Sequence, residues 1–485
     1  MGASTSSFTR GLARPKLGVA QIVFFVVAAS GPLYAIAGGI STTYAITGIV
    51  GVPLSFILLA PVLALFAVGY GVMSRHITNA GAFYPYVANG IGKPAGIAVS
   101  FVAVLAYNCI QIGVYGLFGW SVAGFLKQKT GIETPWWLWA LVILAIVAVL
   151  GARRVDLNAK VLGVVLVLEC VTIVAIDVVG LANPAPGGDS LAPLDPSNLF
   201  VTGVGAVFAF SVAVFTGFEG AATYGEECRD PARTVARATY VAIGLTAVLY
   251  SVSSLAMALA VGPSEVVALS QQNGPGVFFG ISGQHLGATV TDVAYVLFLT
   301  SQFASLLSFH NAVARYFFAL GREGVLPEAL GRTNRRNGSP VAGSLTQTVI
   351  ALLVVAGFAI TGREPIFELF TWLGVTASTG VVLIMTMVSV SVILFFRGRH
   401  GPETVWQRVI APALAAILLG VILVLIIMNF DVLVGTSADS PLRWILPGLL
   451  LLAAIAGFVR SLVLRSSKPA VYAKVGGIGT AGGVR

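Results

Sequence analysis

The chain has 485 residues, of which 57% are hydrophobic and only 10% charged, and its mean hydropathy is +0.93. That composition lies outside the soluble globular range and calls for a polytopic membrane protein. The net charge of +9 raises nucleic acid as a partner, but the charges fall in short segments between apolar runs, which excludes it.

A spanning helix needs about 20 apolar residues, and twelve runs meet the requirement in chain order. They cover 16–40, 50–71, 96–126, 136–151, 159–180, 199–224, 234–261, 287–319, 340–360, 367–396, 409–430 and 443–464. No strand alternation is visible, so a barrel is excluded and the expected class is an all-α membrane protein. All but four of the 28 Lys and Arg fall on the side of the N-terminus when alternate loops are sorted; the four are Lys127, Lys129, Arg363 and Arg443. The positive-inside rule then places both termini in the cytoplasm of a multi-pass protein of the cell membrane, and the even span count agrees. The first run is too long for the h-region of a cleaved signal, so it is expected to be retained.

The first span is interrupted at VVAASGPLYAIAGG, where Ser30, Gly31 and Pro32 remove helix propensity and a backbone donor. The sixth is interrupted at FTGFEGAA, from Phe215 to Ala222. Each opens a block of five spans, and paired interruptions at corresponding positions point to an inverted-repeat transporter with a midplane site. The competing reading is that these Gly and Pro residues merely pack or kink membrane helices. The organisation expected is a tail over 1–15, a first five-helix repeat over 16–180, an external loop over 181–198, a second repeat over 199–396, two accessory helices over 397–464, and a cytoplasmic tail over 465–485. The loop LANPAPGGDSLAPLDPSN and the later GPSEVVALSQQNGPGVFFGISGQ either gate access or link passively, and the second has room for a short helix.

Other classes fit less well. A channel would show a continuous polar pore, and an enzyme a catalytic cluster, whereas His76, His285, His310 and His400 are scattered. Cys109 and Cys170 lie within spans and Cys228 on the cytoplasmic side, which gives neither a disulfide framework nor metal-ligand spacing. No catalytic residue, metal or cofactor is expected. A transporter-like sensor that binds without net transport stays open beside the carrier.

Three further segments join the paired breaks: GAFYPYVANGIGKPAG at 81–96, GFEGAATYGEECRDPARTVARA at 217–238 and ARYFFALGREGVLPEALGRTNRRNGSPVAG at 314–343. Together they resemble the amino acid–polyamine–organocation transporter superfamily over 16–396. The resemblance implies the leucine-transporter fold, with five-plus-five inverted repeats, two C-terminal accessory helices and a substrate held where helices 1 and 6 unwind. It also implies secondary transport, as symporter or antiporter, of an amino acid or polyamine-like amine, often driven by protons.

Residue chemistry agrees with that implication. Unwinding at Ala29, Ser30 and Gly31 frees N–H groups at a half-helix N-terminus, which suits an α-carboxylate. Unwinding at Phe215, Thr216, Gly217 and Phe218 frees carbonyls for an α-ammonium, and Phe210, Phe215 and Phe218 supply walls. Gln111 and Asn108 on span 3, Ser305 and Ser308 on span 8, and Thr371, Thr376 and Ser378 on span 10 complete a site or make interhelical hydrogen bonds. Glu219 is the sharpest candidate, because an acid at membrane depth costs about 2.5–3.5 kcal/mol and should face a cavity or partner. It matches an acidic gate or proton-linked position in the superfamily; the alternative is a neutral Glu that only holds the break. Glu169 on span 5 lies near the lysine that some proton-coupled relatives use in place of sodium, and Lys160 sits too close to the cytoplasmic end to serve. His310 is expected to be a buried structural imidazole. Glu226, Glu227, Arg229, Asp230 and Arg233 form a candidate cytoplasmic latch, with arginines of other loops as partners.

Overall fold

The computed structural model describes residues 18–77, 83–153, 159–187, 191–218, 231–333, 339–399 and 401–477. These residues are almost wholly helical, with no strand among them, as the hydropathy pattern requires. Among the described residues, eleven helices are long and apolar enough to cross a membrane. The sixth predicted span contributes a shorter apolar helix, Val204–Phe215, and its continuation past 218 lies outside the described residues.

Span 1 comprises α1 (Val19–Ser30), a π-helical stretch (Tyr34–Ile40) and α2 (Ser41–Thr47). It runs seven residues beyond the end expected at 40. The extension holds because the Thr42 and Thr43 hydroxyls donate back to the carbonyls of Gly38 and Gly39, so the polar side chains are spent within the helix. Span 2 is α3 (Val52–His76), and a short α4 (Phe83–Gly90) leads to α5 (Lys93–Thr130), the third span. At 1.5 Å per residue α5 is about 57 Å long, more than the hydrocarbon layer needs, and it forms the spine of the bundle. Spans 4 and 5 are α6 (Trp136–Arg153) and α7 (Ala159–Ala182); span 6 is α8 (Val204–Phe215) and span 7 is α9 (Pro231–Val261).

The segment with room for a short helix holds two, α10 (Val266–Asn273) and α11 (Gly276–His285). Gln271 on α10 donates to the Ala45 carbonyl, so this connection packs on α2. The earlier loop is not a slack linker either: it makes two 3-10 turns, buries Pro193, and accepts the Gly51 N–H on the Asn198 carbonyl. Spans 8 to 12 are α12 (Ala288–Arg322), α13 (Val341–Ile360), α14 (Thr371–Phe396, after a π-helical Pro365–Phe370), α15 (Ala411–Met428) and α17 (Leu442–Ser467). A five-residue α16 (Phe430–Val434) separates the last two.

Two packing groups position the interior. α1 and α3 both lie along α9, whereas α5 carries α6, α12, α14 and α17. After α17, α18 (Pro469–Lys474) returns to the bundle, where Lys93 donates to the Tyr472 and Ala473 carbonyls and Asn89 to that of Gly476. The Gly476 N–H donates to Glu323 at the end of α12, and Tyr84 of α4 donates to the same carboxylate.

Candidate functional site

Pro32 brings no N–H and Gly31 adopts φ +57°, a left-handed conformation that closes α1 at Ser30. The helix resumes at once, with Ala35 donating to the Gly31 carbonyl. The interruption therefore leaves the N–H groups of Leu33 and Tyr34 at the start of a new helical segment, where they carry its positive end.

The protein meets that end with a carboxylate of its own. Tyr34 N–H donates to Ser301 Oγ (3.3 Å), Ser301 Oγ donates to Glu169 Oε2 (2.8 Å), and the backbone of Leu33 also hydrogen-bonds to Glu169. Glu169 is 3% exposed and comes from the middle of α7, while Ser301 comes from α12. One buried carboxylate thus ties spans 5 and 8 to the break in span 1. Such an arrangement gives a buried carboxyl hydrogen-bond donors without a cation, through a hydroxyl, a backbone N–H and a helix end.

The second interruption lies against the first. α8 ends at Phe215, Thr216 leaves helical geometry at ψ 132°, and Gly217 takes φ +123°. A Cβ on Gly217 would stand 3.5 Å from the Ser30 nitrogen, so the two broken backbones face each other directly. Phe215 packs with Phe56 and Tyr250, Phe218 meets Phe66 edge-on, and Tyr34 meets Phe370. Tyr250 approaches Ser30 from α9, hydroxyl to hydroxyl, at 3.5 Å. Ala29 is half-buried; Ser30, Gly31, Thr216, Gly217 and Phe218 are buried. The candidate residues at the two breaks and Glu169 are therefore gathered in one place, while Phe210 lies buried farther back on α8 and Glu219 lies outside the described residues.

Gln111 is not gathered with them. Its amide sits between α5, α12 and α13, where Nε2 donates to Tyr115 and to the Leu306 carbonyl, meets His310 Nδ1 at 3.2 Å, and Oε1 accepts from Gln347. His310 Nε2 pairs with Ser344 Oγ at 2.7 Å, so the imidazole belongs to a buried interhelical network. Asn108, Thr371, Thr376 and Ser378 each bond to a carbonyl of their own chain three to five residues back. Glu226, Glu227, Arg229 and Asp230 of the expected latch, and Arg154, one of the loop arginines available to it, lie outside the described residues, as does the side chain of Arg233.

Two groups escaped sequence reasoning. Ser301 lies one turn before Ser305 on the same face of α12, so spacing of the small hydroxyls signalled it. Asp177 on α7 is 4% exposed and accepts from Ser253 on α9 at 2.6 Å; an acid inside an apolar span is itself the signal. Among the described residues, no three His, Cys, Asp or Glu side chains are placed to hold a metal ion.

Comparison with known proteins agrees with this architecture. The family profile described as "Amino acid permease" matches residues 17–452. The branched-chain amino acid permease BcaP of Lactococcus lactis subsp. cremoris is 24% identical over 422 residues, covering 83% of this chain and 85% of that protein. The low-affinity putrescine importer PlaP of Escherichia coli K12 is 24% identical over 305 residues, covering 60% of this chain and 63% of the importer. Among solved structures, MhsT in complex with L-phenylalanine superposes with a TM-score of 0.61 at 17% identity, covering 86% of this chain and all of that one.

Proposed function

We propose, from the premise that this chain belongs to the amino acid permease family, that it moves an amino acid or related amine across the cell membrane by alternating access. Family membership and the eleven candidate spans make it a multi-pass membrane transporter. The finer reading is that the substrate lies between the breaks of spans 1 and 6 and that transport is coupled to protons. The observation that carries it is the direct apposition of Gly217 to Ser30, which leaves two interrupted backbones side by side at membrane depth. Backbone polarity is tolerated at that depth only where it is buried in protein or lines a cavity.

In this reading Ala29, Ser30 and Gly31 receive the α-carboxylate and Phe215, Thr216, Gly217 and Phe218 the α-ammonium. Gln111 braces spans 3, 8 and 9 around them. Glu169 is the coupling group the geometry favours. As an anion it accepts from Ser301 and Leu33; a proton takes up one of its lone pairs and loosens its hold on the span 1 break. Glu219 is proposed as a second gate or coupling acid. The repeats are proposed over 16–180 and 199–396, with accessory helices over 397–464 and both termini in the cytoplasm.

The substrate is open to a direct test. Purified protein is screened by thermal shift against the amino acids and common polyamines, since a ligand stabilises in proportion to its saturation, and the hits are followed by counterflow in proteoliposomes. An amino acid or amine that both stabilises and exchanges is expected. Stabilisation without exchange would make the protein a sensor, and a screen with no hit would remove the site assignment.

A further inference from the structure

The interface between α7 and α9 carries a polar feature that the proposed site does not use. Asp177 follows Glu169 by eight residues on α7, about 12 Å nearer the end of the helix that leads to residue 182. It is buried, and Ser253 Oγ donates to its Oδ2 at 2.6 Å. Its Oδ1 has no hydrogen-bond partner among the described residues. Were the group there only to join two helices, an Asn or a second Ser would do so without an acid in the bilayer, and a carboxylate kept for structure would have both oxygens engaged.

The surroundings of Asp177 lead inward. Ser253 lies one turn along α9 from Tyr250, whose hydroxyl is 3.5 Å from Ser30 Oγ. Ser30 adjoins Gly31, whose missing side chain faces Ser301, the donor to Glu169. Hydroxyls of Ser253, Tyr250, Ser30 and Ser301 therefore stand between the two buried acids as three separate hydrogen-bonded links, beside Ile173 and Ile176, which are buried on α7. The route has two gaps, one turn between Ser253 and Tyr250 and the step past Gly31 from Ser30 to Ser301, and the proposal places a bridging water in each.

We propose that Asp177 is the port by which the coupling proton enters from the membrane face opposite the termini, on its way to Glu169. The inference rests on the proton-coupled reading above. A hydronium ion admitted from that face gives its proton to the unpartnered Oδ1 and leaves as water. The neutral acid then passes a proton inward, each hydroxyl accepting one as it donates its own, so that Glu169 gains the proton and Asp177 is again ionised. No redox change or further reactant is involved.

The titratable and charged groups on the neighbouring elements do not compete for this role. α1 has none. On α9 they are Arg233, Arg237, Tyr240 and Tyr250, on α11 His285, and on α12 Asp292, Tyr295, His310, Arg315, Tyr316 and Arg322. Asp292 is paired with Lys129, Tyr295 donates to the Ser121 carbonyl and His310 sits with Ser344. On α7 itself Cys170 lies beside Glu169.

The test is sided. In proteoliposomes with the lumenal pH clamped, uptake is measured while only the exterior pH on the face opposite the termini is varied. A one-unit inward gradient corresponds to a driving ratio of about tenfold, and wild-type uptake should rise accordingly. Asp177→Asn should lose that stimulation yet keep counterflow at symmetric pH and keep its response to pH on the terminal face; Asp177→Glu should restore part of it. Stimulation retained in Asp177→Asn overturns the port while leaving coupling intact. Equal loss of response on both faces reduces Asp177 to a support for Glu169 and also overturns it. A wild-type protein indifferent to the gradient removes coupling and port together. Should Asp177→Asn fail to fold, Ser253→Ala decides: loss of the donor to the carboxylate should displace the exterior half-maximal pH by about one unit, and an unchanged profile overturns the assignment.

Discussion

Replacement of Gly31 by Val tests the proposed site at its narrowest point. A Cβ there would lie 3.0 Å from Ser301 Oγ, 3.0 Å from Tyr34 Cδ1 and 3.2 Å from the Ser301 carbonyl oxygen, at a φ of +57°. The hydroxyl can rotate away, but the carbonyl belongs to the α12 backbone and cannot. Left-handed geometry costs a side-chain-bearing residue about 1–2 kcal/mol, and overpacking adds about 1–3 kcal/mol. The break thus loses about 2–5 kcal/mol relative to any geometry that relieves the clash. Because each 1.36 kcal/mol is a factor of ten, the native break becomes a minor state. Radioligand binding to the purified variant, with monodispersity on size exclusion as the control for insertion and folding, should show affinity reduced by at least tenfold; Gly31→Ala should fall between the two. Wild-type affinity in Gly31→Val would refute the placement of substrate at the span 1 break.

Glu169→Gln and Glu219→Gln keep shape but cannot ionise; the coupling residue among them should lose gradient-driven accumulation far more than binding, with residual exchange flat across pH. If both variants accumulate substrate with the wild-type pH profile, neither carboxylate couples. On a background without Cys228, a cysteine at Ser190 should react with an impermeant maleimide outside intact cells and one at Asn337 should not, and the reverse pattern would invert the topology. Burial opposes ionisation of Glu403, yet the His76 ring at 2.8 Å and the Arg75 charge outweigh it and hold the carboxyl below its usual range. A depressed carboxyl stabilises the fold above the unfolded value, and that contribution fades as pH falls through the folded one. Melting temperature should therefore drop less steeply on acidification in Glu403→Gln than in wild type, and parallel curves would contradict the pairing.

The breaks in spans 1 and 6 were legible because they are local: Ser-Gly-Pro and Thr-Gly-Phe interrupt helical periodicity whatever surrounds them. What the two breaks touch was not, since the apposition of Gly217 to Ser30 arises from packing between residues nearly two hundred positions apart. Glu169 could be singled out as an acid in an apolar run, but its partners could not, because the Leu33 and Tyr34 donors exist only once span 1 is broken. Gln111 shows the limit from the other side. A buried amide announces that it needs partners without naming them, and here they are His310 and Gln347 rather than the span 1 break. The run of span 1 to Thr47 was missed for a related reason: hydropathy counts threonine as polar, whereas Thr42 and Thr43 spend their hydroxyls on their own helix.

The docking of α18 has a consequence for biogenesis. Asn89 of α4, Lys93 of α5 and Glu323 at the end of α12 find partners in residues that follow the described spans. Val475, only 2% exposed, lies at the same junction. Until that segment has left the ribosome, the inserted helices hold a lysine and a glutamate short of their native contacts, and the terminal face stays unfinished. The contacts that join α4, α5 and α12 at this junction therefore form only after all of the described spans have been made.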